Sequence, residues 1–399
     1  MPEVTIERLG LAGDGIAGAV RLPFALPGER WRIGDGDAAL IGPPASGRVS
    51  PPCRHFGVCG GCSLQHAADD SLAGWKGATI ARALAARGLE APIRPTVTSP
   101  ARSRRRAVFG GRRTRKGALV GLHARRSDDL VDLAECLVVR PEILAAKPAL
   151  ERVVAIGATR SGSLRMAVTF GPAGLDVDVG GGRPLDPRRR LALAGVAEEA
   201  DLARLSWAGE TVSLRRPPFH VMGGARVIAP PGAFLQATAE GEAALVASVL
   251  ETAAEARRVA DLFAGCGTFT LPLSARAEVL AVEGDAAMLS ALAHGWRGAR
   301  GLRRVEAASR DLFRRPLIPA ELKGLDAVVI DPPRAGAAAQ CLELSRSRIG
   351  RVASVSCSPT SFARDARLLV DGGFRLDWVQ PVDQFRWSGH VELAAQFSR

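Results

Sequence analysis

Three sites in the C-terminal part of the chain join short apolar segments to residues that suit a nucleotide ligand. The segment 259–268 reads Val-Ala-Asp-Leu-Phe-Ala-Gly-Cys-Gly-Thr, so a strand-like run enters Gly265 and Gly267 and then a helical stretch. Such a turn lets a nucleotide lie against bare backbone. Glu283, sixteen residues past Gly267, and Asp331, which two prolines follow, end two further β-branched runs. A carboxylate at Glu283 can accept hydrogen bonds from both ribose hydroxyls, so the pattern predicts a nucleotide cofactor.

The type of nucleotide follows from the three sites taken together. A dinucleotide fingerprint has a third glycine where this chain has Thr270, which argues against NAD. Glu283 or Asp331 alone would be an ordinary strand-end residue. Gly-x-Gly, Glu and Asp-Pro-Pro at successive strand ends resemble the class I S-adenosylmethionine methyltransferases, and this resemblance implies that cofactor.

A cysteine and a glutamate near the end of the chain suit covalent catalysis. Cys357, in Val-Ser-Cys-Ser-Pro, closes the strand-like run that follows Asp331. A free cysteine is often a core residue, which is our interpretation of Cys266 and Cys341. At the edge of a sheet, a thiolate can instead add to an electron-poor ring carbon and make the neighbouring carbon nucleophilic toward a sulfonium methyl group. Glu392 opens the last strand and can take the displaced ring proton, although alone it would be a solvated strand residue.

Four further cysteines suit a metal site. Cys53, Cys59 and Cys62 form C-x5-C-x2-C, and Cys136 follows much later in the chain. Four thiolates bind iron–sulfur clusters or zinc, and the spacing differs from the paired C-x2-C of a zinc ribbon. The set predicts a staple that pins the 53–62 loop onto the segment around Cys136.

Composition and charge narrow the class of protein. The 399 residues include 53 Lys and Arg against 41 Asp and Glu, a net charge of +12 that favours a polyanionic partner. Ten basic residues and no acidic one lie between Arg102 and Arg126, interleaved with apolar residues, which predicts a basic sheet surface. Glu3, Glu7 and Arg8 occupy the place of a signal peptide's apolar core, so we expect a cytoplasmic protein without membrane spans.

The pattern along the chain predicts three domains. Residues 1–50 alternate in period two with glycine turns, which indicates a small β-barrel. Residues 51–231 hold the cysteine loop, a helix over 72–89, the basic stretch and alternating strands. Residues 232–399 alternate helix and strand, which predicts an α/β, doubly wound, Rossmann-like parallel sheet with its ligand at the carboxyl ends of the strands. Its expected parallel strands are 259–263, 279–283, 327–331 and 352–356, and the last strands, near 376–379 and 391–397, are expected to be antiparallel.

With these residues in hand, nearly the whole chain resembles the RNA 5-methyluridine methyltransferases. Val4 to Ala17 is similar to the start of a TRAM domain, an RNA-binding barrel, and Cys53, Cys59, Cys62 and Cys136 are similar to the family's [4Fe-4S] ligands. The tRNA enzymes usually lack both features. The resemblance is therefore closer to the branch that methylates uridine 1939 of 23S rRNA, and it implies an RNA partner and a monomer with no obligate protein partner.

The resemblance also implies a role for individual residues. The family's nucleophile falls on Cys357 and its general base on Glu392, and its cofactor contacts are the set Gln236, Phe263, Glu283, Asp311 and Asp331. Cys357 would add to C6 of a flipped-out uracil, C5 would take the methyl group, and Glu392 would remove the C5 proton. Two residues depart from the family pattern, because Ser358 and Thr268 stand where asparagine is usual.

Four other functions remain open from the sequence. The same enzyme acting on tRNA is the nearest. An RNA cytosine-5 methyltransferase would place a second cysteine after Asp-Pro-Pro, where this chain has Arg334. A radical enzyme needs a C-x3-C-x2-C triad, which the chain lacks. The last alternative is a non-catalytic RNA-binding or assembly protein on a methyltransferase scaffold.

Overall fold

The N-terminal segment forms two small antiparallel sheets. In the computed structural model, which describes residues 2–34, 37–115 and 117–399, these sheets have the strand orders β1-β5-β6 and β2-β3-β4. The strands are β1 (Glu3–Thr5), β2 (Arg8–Leu9), β3 (Gly15–Ala17), β4 (Val20–Leu22), β5 (Arg30–Ile33) and β6 (Ala38–Ile41). The strands and glycine turns that the sequence predicts are therefore present, whereas their closure into a barrel stays a prediction.

A seven-stranded sheet forms the middle of the molecule, in the order β10-β9-β8-β11-β12-β13-β14. Its strands are β8 (Arg106–Thr114), β9 (Gly117–His123), β10 (Leu130–Asp132), β11 (Ser163–Gly171), β12 (Gly174–Gly180), β13 (Arg204–Trp207) and β14 (Glu210–Leu214). The helices of this part are α2 (Pro141–Ala145), α3 (Lys147–Gly157) and α4 (Pro187–Glu199). Leu150 of α3 and Leu193 of α4 share a fully buried core with Met166 of β11, so these helices cover one face of the sheet.

An eight-stranded sheet carries the C-terminal part, in the order β19-β18-β17-β20-β21-β23-β22-β7. Five strands are parallel: β17 (Arg258–Leu262), β18 (Glu278–Glu283), β19 (Val305–Ser309), β20 (Ala327–Ile330) and β21 (Arg351–Ser356). Two long strands, β22 (Arg375–Asp383) and β23 (Glu392–Ser398), are antiparallel, as the sequence predicts. The strand order reverses beside β17, and ligands of open α/β sheets bind at such a reversal.

Helices cover both faces of this sheet because its strands are apolar on both sides. Val259 and Ala260, neighbours in β17, belong to different cores, since successive side chains of a strand point to opposite faces. One face packs against α5 (Ala239–Thr252), α6 (Thr270–Ser274) and α7 (Ala286–Gly298), and the other against α1 (Asp69–Ala85), α8 (Ala338–Ser345) and α9 (Pro359–Asp371). A hairpin of β15 (Phe219–Met222) and β16 (Ala225–Ile228) packs on α7.

Residues 69–98 pack on the C-terminal sheet, although the sequence assigns them to the central unit. Ile80 and Leu84 of α1 are buried in the same core as Phe362 of α9. The strand β7 (Val97–Thr98) adds to the sheet edge by pairing with β22. Residues 69–98 therefore lie in the predicted central unit by sequence but pack on the C-terminal sheet. No local sequence pattern in 69–98 predicts this packing. Among the described residues, no helix is long and apolar enough to cross a membrane.

Candidate functional site

The glycine turn lies at the carboxyl end of β17, where the strand order reverses. Phe263 has a φ of +63°, Gly265 of +55° and Gly267 of +98°, so the chain follows a left-handed path that non-glycine residues rarely adopt. A Cβ atom on Gly267 would lie 2.9 Å from the Leu292 side chain, which is too close for any larger residue. The turn thus lies at the reversal point, with Gly265 partly exposed and Gly267 buried against Leu292 and Leu271.

The carboxylate of Glu283 holds this turn to the neighbouring strand. Its Oε2 accepts a hydrogen bond from the Gly265 backbone N–H at 2.9 Å, and its Oε1 accepts one from the Asp285 N–H at 2.8 Å. Both bonds use only part of the acceptor capacity of an ionised carboxylate. Glu283 therefore remains able to accept hydrogen bonds from a sugar, at a position that the turn itself fixes.

An aromatic pair and a second carboxylate lie on the same side of the crevice. The rings of Phe263 and Phe313 are 5.4 Å apart, and Phe313 is half exposed. Asp311 is exposed and caps the backbone N–H of Phe313 at 3.0 Å, close to Gly284 in the loop after β18. Exposed aromatic surface beside two carboxylates suits a nucleoside. The structure therefore brings Phe263, Glu283 and Asp311 together.

Gln236 approaches the turn from the opposite direction. Leu235 packs in one apolar cluster with Cys266 and Leu271, which places the Gln236 segment against the glycine turn. The buried Gln236 side chain accepts a 2.7 Å hydrogen bond from Gln384, and its amide N–H₂ donates to no other residue in the described part of the chain. Cys266 is a buried core residue, as expected.

The strand register brings Cys357 opposite Glu392. Antiparallel β21 and β23 pair Ser356 with Leu393, and the next residues outward are Cys357 and Glu392. Cys357 is half-buried, whereas Glu392 is only 4% exposed. Asp331 follows β20, the strand beside β21, so the three side chains meet at one edge of the sheet.

The electrostatics of this edge favour protonated acids. Burial raises the pKa of Glu392 to about 7. Burial and the charges of Glu392 and Asp331 raise the pKa of the Cys357 thiol to about 11, and Arg334 opposes this shift. The pKa of Asp331 lies well above its usual range because of burial and the charges of Glu392 and Asp261. A cluster of acidic groups whose pKa values are raised together is typical of catalytic sites.

A cavity of about 790 Å³ opens above this edge. Cys357, Glu392 and Arg334 line its floor. Ser361 and Arg364 of α9 hold the loop that carries Arg334, since they donate hydrogen bonds to the carbonyls of Arg334 and Ala335 at 3.0 and 2.8 Å. The walls come from the other parts of the chain and include Leu11, Gly61, Cys62, Arg104, Arg125, Arg126, Phe234, Arg386 and His390. The site therefore combines residues from all three predicted domains.

The four cysteines of the predicted metal site line a second cavity of about 190 Å³. Burial and the neighbouring cysteine sulfurs raise the pKa of Cys62 to about 12, opposed by a hydrogen bond with Gln65, and burial also raises the pKa of Cys59. Within the described ranges, no group of three or more His, Cys, Asp or Glu side chains has the arrangement of a metal-ion site. The structure thus brings Cys53, Cys59, Cys62 and Cys136 to one cavity, while the cluster itself stays a prediction.

Comparison with known proteins decides the family. The chain is 43% identical over 407 residues to an uncharacterized RNA methyltransferase of Brucella suis, with 100% of this chain and 98% of that protein covered. It is 44% identical over 417 residues to one of Caulobacter vibrioides, with both chains fully covered. The chain belongs to this RNA methyltransferase family. No protein-family profile matches it.

Two further relatives carry more specific names. The methyltransferase is 33% identical over 432 residues to the 23S rRNA (uracil(1939)-C(5))-methyltransferase of Halomonas elongata, covering 98% of this chain and 88% of that one. Its structure matches the crystal structure of Pyrococcus abyssi tRNA (uracil-54, C5)-methyltransferase in complex with S-adenosyl-L-homocysteine. The TM-score is 0.75 at 22% identity, over 99% of both chains. This likeness shows the shared mixed α/β methyltransferase fold.

The basic stretch of the methyltransferase differs from the free surface that the sequence predicts. Arg105 pairs with Glu242 of α5, and both Arg125 and Arg126 pair with Asp14 of the N-terminal segment. Arg106 donates to the Gly232 carbonyl at 3.1 Å. Much of the basic stretch therefore joins parts of the molecule, which sequence reasoning missed because the acidic partners are far away in the chain.

One buried acid of the methyltransferase also escaped prediction. Asp261, in the middle of β17, is fully buried and accepts a 2.5 Å hydrogen bond from Thr270. Its other oxygen has no partner among the described residues, and burial raises its pKa to about 7. The signal was present, since an acidic residue interrupts an otherwise apolar strand.

Proposed function

We propose that this methyltransferase transfers a methyl group from S-adenosylmethionine to C5 of a uridine in RNA, with 23S rRNA as its substrate. The observation that carries this proposal is the register that faces Cys357 with Glu392 at the sheet edge. Methylation at an sp² ring carbon needs a nucleophile to activate the ring and a base to remove the proton, and this pair supplies both. The name of the relative from Halomonas elongata supports the uracil and the rRNA.

Cys357 begins the proposed reaction. Its sulfur forms a bond to C6 of the uracil while the thiol proton passes to solvent in the cavity, and the electrons of the C5–C6 double bond move toward C5 and O4. Because the pKa of the free thiol is about 11, few molecules hold a thiolate at neutral pH before the uracil binds. Arg334 is the cation that opposes this shift, so it favours the thiolate and the negative charge that follows.

Glu392 ends the proposed reaction. S-adenosylmethionine supplies, when bound, an electrophilic methyl group. C5 forms the new carbon–carbon bond, and the Glu392 carboxylate then takes the C5 proton. The released electron pair restores the C5–C6 double bond, and the bond between C6 and Cys357 breaks. A carboxylate with a pKa of about 7 is a stronger base than an ordinary glutamate, which suits this step.

The crevice beside β17 is the proposed cofactor site. We assign the ribose to Glu283, the nucleoside to Phe263 and Asp311, and the methionine end to Gln236 and Asp331. The support is their arrangement around a backbone turn, with exposed aromatic surface at one end and a free amide at the other. Ser358, which departs from the family pattern, acts as the N-cap of α9, where its hydroxyl accepts from the Ser361 N–H at 3.3 Å.

We further propose that the four cysteines hold a [4Fe-4S] cluster. The cavity of about 190 Å³ is many times larger than one ion requires, and four thiols line it. Burial raises the pKa of Cys59 and Cys62, and the iron of a bound cluster would stabilise the thiolate forms that ligate it. Purified protein should contain iron and sulfide, and Cys136→Ala should lose both.

The proposed RNA substrate reaches the catalytic edge across three functional units of the chain. We propose functional units at 1–50, 51–231 and 232–399, a monomer without an obligate protein partner, and a cytoplasmic location. The cavity walls contributed by Arg104 and Arg126 support an RNA that reaches the catalytic edge across all three units. A tRNA substrate is the alternative, because the matching crystal structure carries that name.

Nucleotide mapping of a deletion strain tests the proposed substrate. Mass spectrometry of rRNA and tRNA digests should show one 5-methyluridine missing from 23S rRNA and restored by the wild-type gene, but not by Cys357→Ala. Loss of the methyl group from tRNA would select the alternative substrate. Unchanged methylation of both RNA pools would refute the proposed reaction.

A further inference from the structure

The loop before Glu392 pairs with no strand in the part of the chain that the structure describes. The ladder between β22 and β23 ends where Val382 pairs with Glu392. Residues 384–391 join the two strands and line the catalytic cavity with Phe385, Arg386 and His390. Contacts other than the ladder must therefore hold this segment, which we call the base loop.

Trp387 connects the base loop to the segment that follows Cys62 and to an apolar cluster outside the C-terminal sheet. Its carbonyl oxygen accepts hydrogen bonds from the backbone N–H groups of Ser63 and Leu64, at 2.9 and 3.0 Å. These residues directly follow Cys62. The Trp387 ring is 7% exposed and lies in an apolar cluster whose other buried members are Leu9, Leu26, Leu64, Ala67, Leu72 and Val138. Among the described members of this cluster, Trp387 is the one that lies in residues 232–399, in the connection between β22 and β23.

The backbone of Trp387 adopts a strained conformation, and the contacts of this residue stabilise it. Its φ is +59°, in the left-handed region that non-glycine residues rarely adopt. Such a conformation persists where the surroundings over-determine it, and it is common at functional sites. At Trp387, two hydrogen bonds to its carbonyl oxygen and the burial of its ring hold the backbone in this conformation.

Helix α1 holds the base loop from the other side. Asp69, in the first turn of α1, accepts a 3.1 Å hydrogen bond from the indole N–H of Trp387 and pairs with Arg386. Lys76, one side of a fully buried ion pair, contacts Asp383 at 2.5 Å and donates to the Phe385 carbonyl at 3.2 Å. The loop is thus clamped between the cysteine loop and α1.

We infer that Trp387 is a positioning residue that sets the Glu392 carboxylate for proton removal, through the clamp formed by the cysteine loop and Asp69. The inference rests on the proposed function, because it assigns a task to the proposed base. Cys357 does not depend on this clamp, since it follows β21 directly and precedes the N-cap of α9. Loosening the clamp therefore affects proton removal and leaves formation of the covalent adduct intact.

Substituted RNA separates these two steps. A 5-fluorouridine RNA carries fluorine where Glu392 would remove a proton, so the adduct forms and stays. Ordinary uridine RNA requires the base for release. A misplaced base therefore lowers turnover on uridine RNA and lets the adduct accumulate there, while trapping by fluorouridine RNA stays at the wild-type rate.

The decisive comparison uses two neighbouring carboxylates. Asp69→Ala and Asp70→Ala each remove one negative charge from the first turn of α1, but the exposed Asp70 makes no side-chain contact with the base loop among the described residues. Trp387→Phe keeps an aromatic ring in the core and loses the indole N–H. Because a displacement of about 1 Å can cost on the order of 100-fold in rate, we expect Trp387→Phe and Asp69→Ala to slow turnover at least about tenfold. Asp70→Ala should behave like the wild type.

The outcomes separate the inference from the proposed function. Slow turnover, adduct accumulation on uridine RNA and normal fluorouridine trapping would support the positioning role, and normal trapping also shows that the variant is folded. Wild-type turnover by Trp387→Phe and Asp69→Ala, or equal losses of turnover and trapping, would overturn it while leaving the reaction standing. Absence of trapping by the wild type would refute the reaction itself.

Discussion

Charged groups are arranged in opposite ways at the catalytic edge and in the regions that join the parts of the molecule. At the edge, Glu392 and Asp331 lie together, neither forms an ion pair with any residue that the structure describes, and the pKa of each is raised. At the junctions, buried or partly buried charges are matched, as in the ion pairs Lys76–Asp383 and Arg105–Glu242. Unmatched buried acids cost stability, whereas matched ones hold geometry. The difference separates the acids that we assign to the proposed reaction from the ion pairs that hold parts of the molecule together.

Removing the nucleophile should produce the largest effect. Cys357→Ala leaves no group that can activate the uracil ring, so we expect methyl transfer to fall by at least about 10³-fold and the covalent adduct to vanish. The variant should keep the wild-type melting temperature, because Cys357 is only half-buried. Residual methylation above that level would mean that another residue activates the ring.

Removing the base should produce the next largest effect. Glu392→Gln should lower turnover by about 10²- to 10⁴-fold, and the adduct should accumulate on uridine RNA. In the wild type, burial raises the pKa of Glu392 to about 7, so the protonated, inactive form gains as the pH falls. Single-turnover release from the adduct should therefore slow below about pH 7. A flat rate between pH 6 and pH 8 would count against Glu392 as the base.

Breaking a matched pair should instead affect stability. Lys76→Met leaves Asp383 buried without its cation, and removal of one partner of a buried pair typically costs about 3–5 kcal/mol of unfolding free energy. The double variant Lys76→Met/Asp383→Leu should recover much of that loss, because it leaves no buried charge. Urea unfolding measures both. Equal unfolding free energies of the wild type and Lys76→Met would show that the Lys76–Asp383 ion pair does not stabilise the fold.

We expect the smallest effect from an exposed arginine that forms no ion pair in the described part of the chain, and we compare it with an arginine whose ion pair connects two parts of the molecule. Arg113 is exposed and makes no ion pair among the described residues, whereas Arg105 pairs with Glu242. Arg113→Ala should weaken RNA binding modestly and reduce the slope of log K against log salt by about one unit or less per lost phosphate contact. Arg105→Ala should leave that slope unchanged and lower the melting temperature. A lower salt slope for Arg105→Ala and a lower melting temperature for Arg113→Ala would instead assign RNA binding to Arg105 and stability to Arg113.

The catalytic edge was predictable from the sequence because strand ends meet. Gly265, Glu283, Asp331 and Cys357 each follow a recognisable β-branched run, and the carboxyl ends of parallel strands share one edge of a sheet. The final antiparallel strand was also recognisable, so Glu392 could be placed beside them. The resemblance to a known family added the assignment of Gln236 and Asp311.

The joining regions were not predictable because their contacts link residues that are far apart in the chain. Asp14 is more than 100 positions from Arg125, and Lys76 is more than 300 from Asp383. Neither the packing of α1 on the C-terminal sheet nor the entry of Trp387 into the N-terminal core follows from a local pattern. Charge counting alone therefore overestimated the basic surface that is free for RNA.

The most direct test of the proposed chemistry is covalent trapping followed by peptide mapping. Wild-type protein is mixed with S-adenosylmethionine and a 23S rRNA fragment that contains 5-fluorouridine, and the adduct is digested and sequenced by mass spectrometry. We predict a methylated fluorouracil attached to Cys357, and no adduct with Cys357→Ala. An adduct on another residue, or methylated RNA formed without any adduct, would contradict the assignment of Cys357 as the nucleophile.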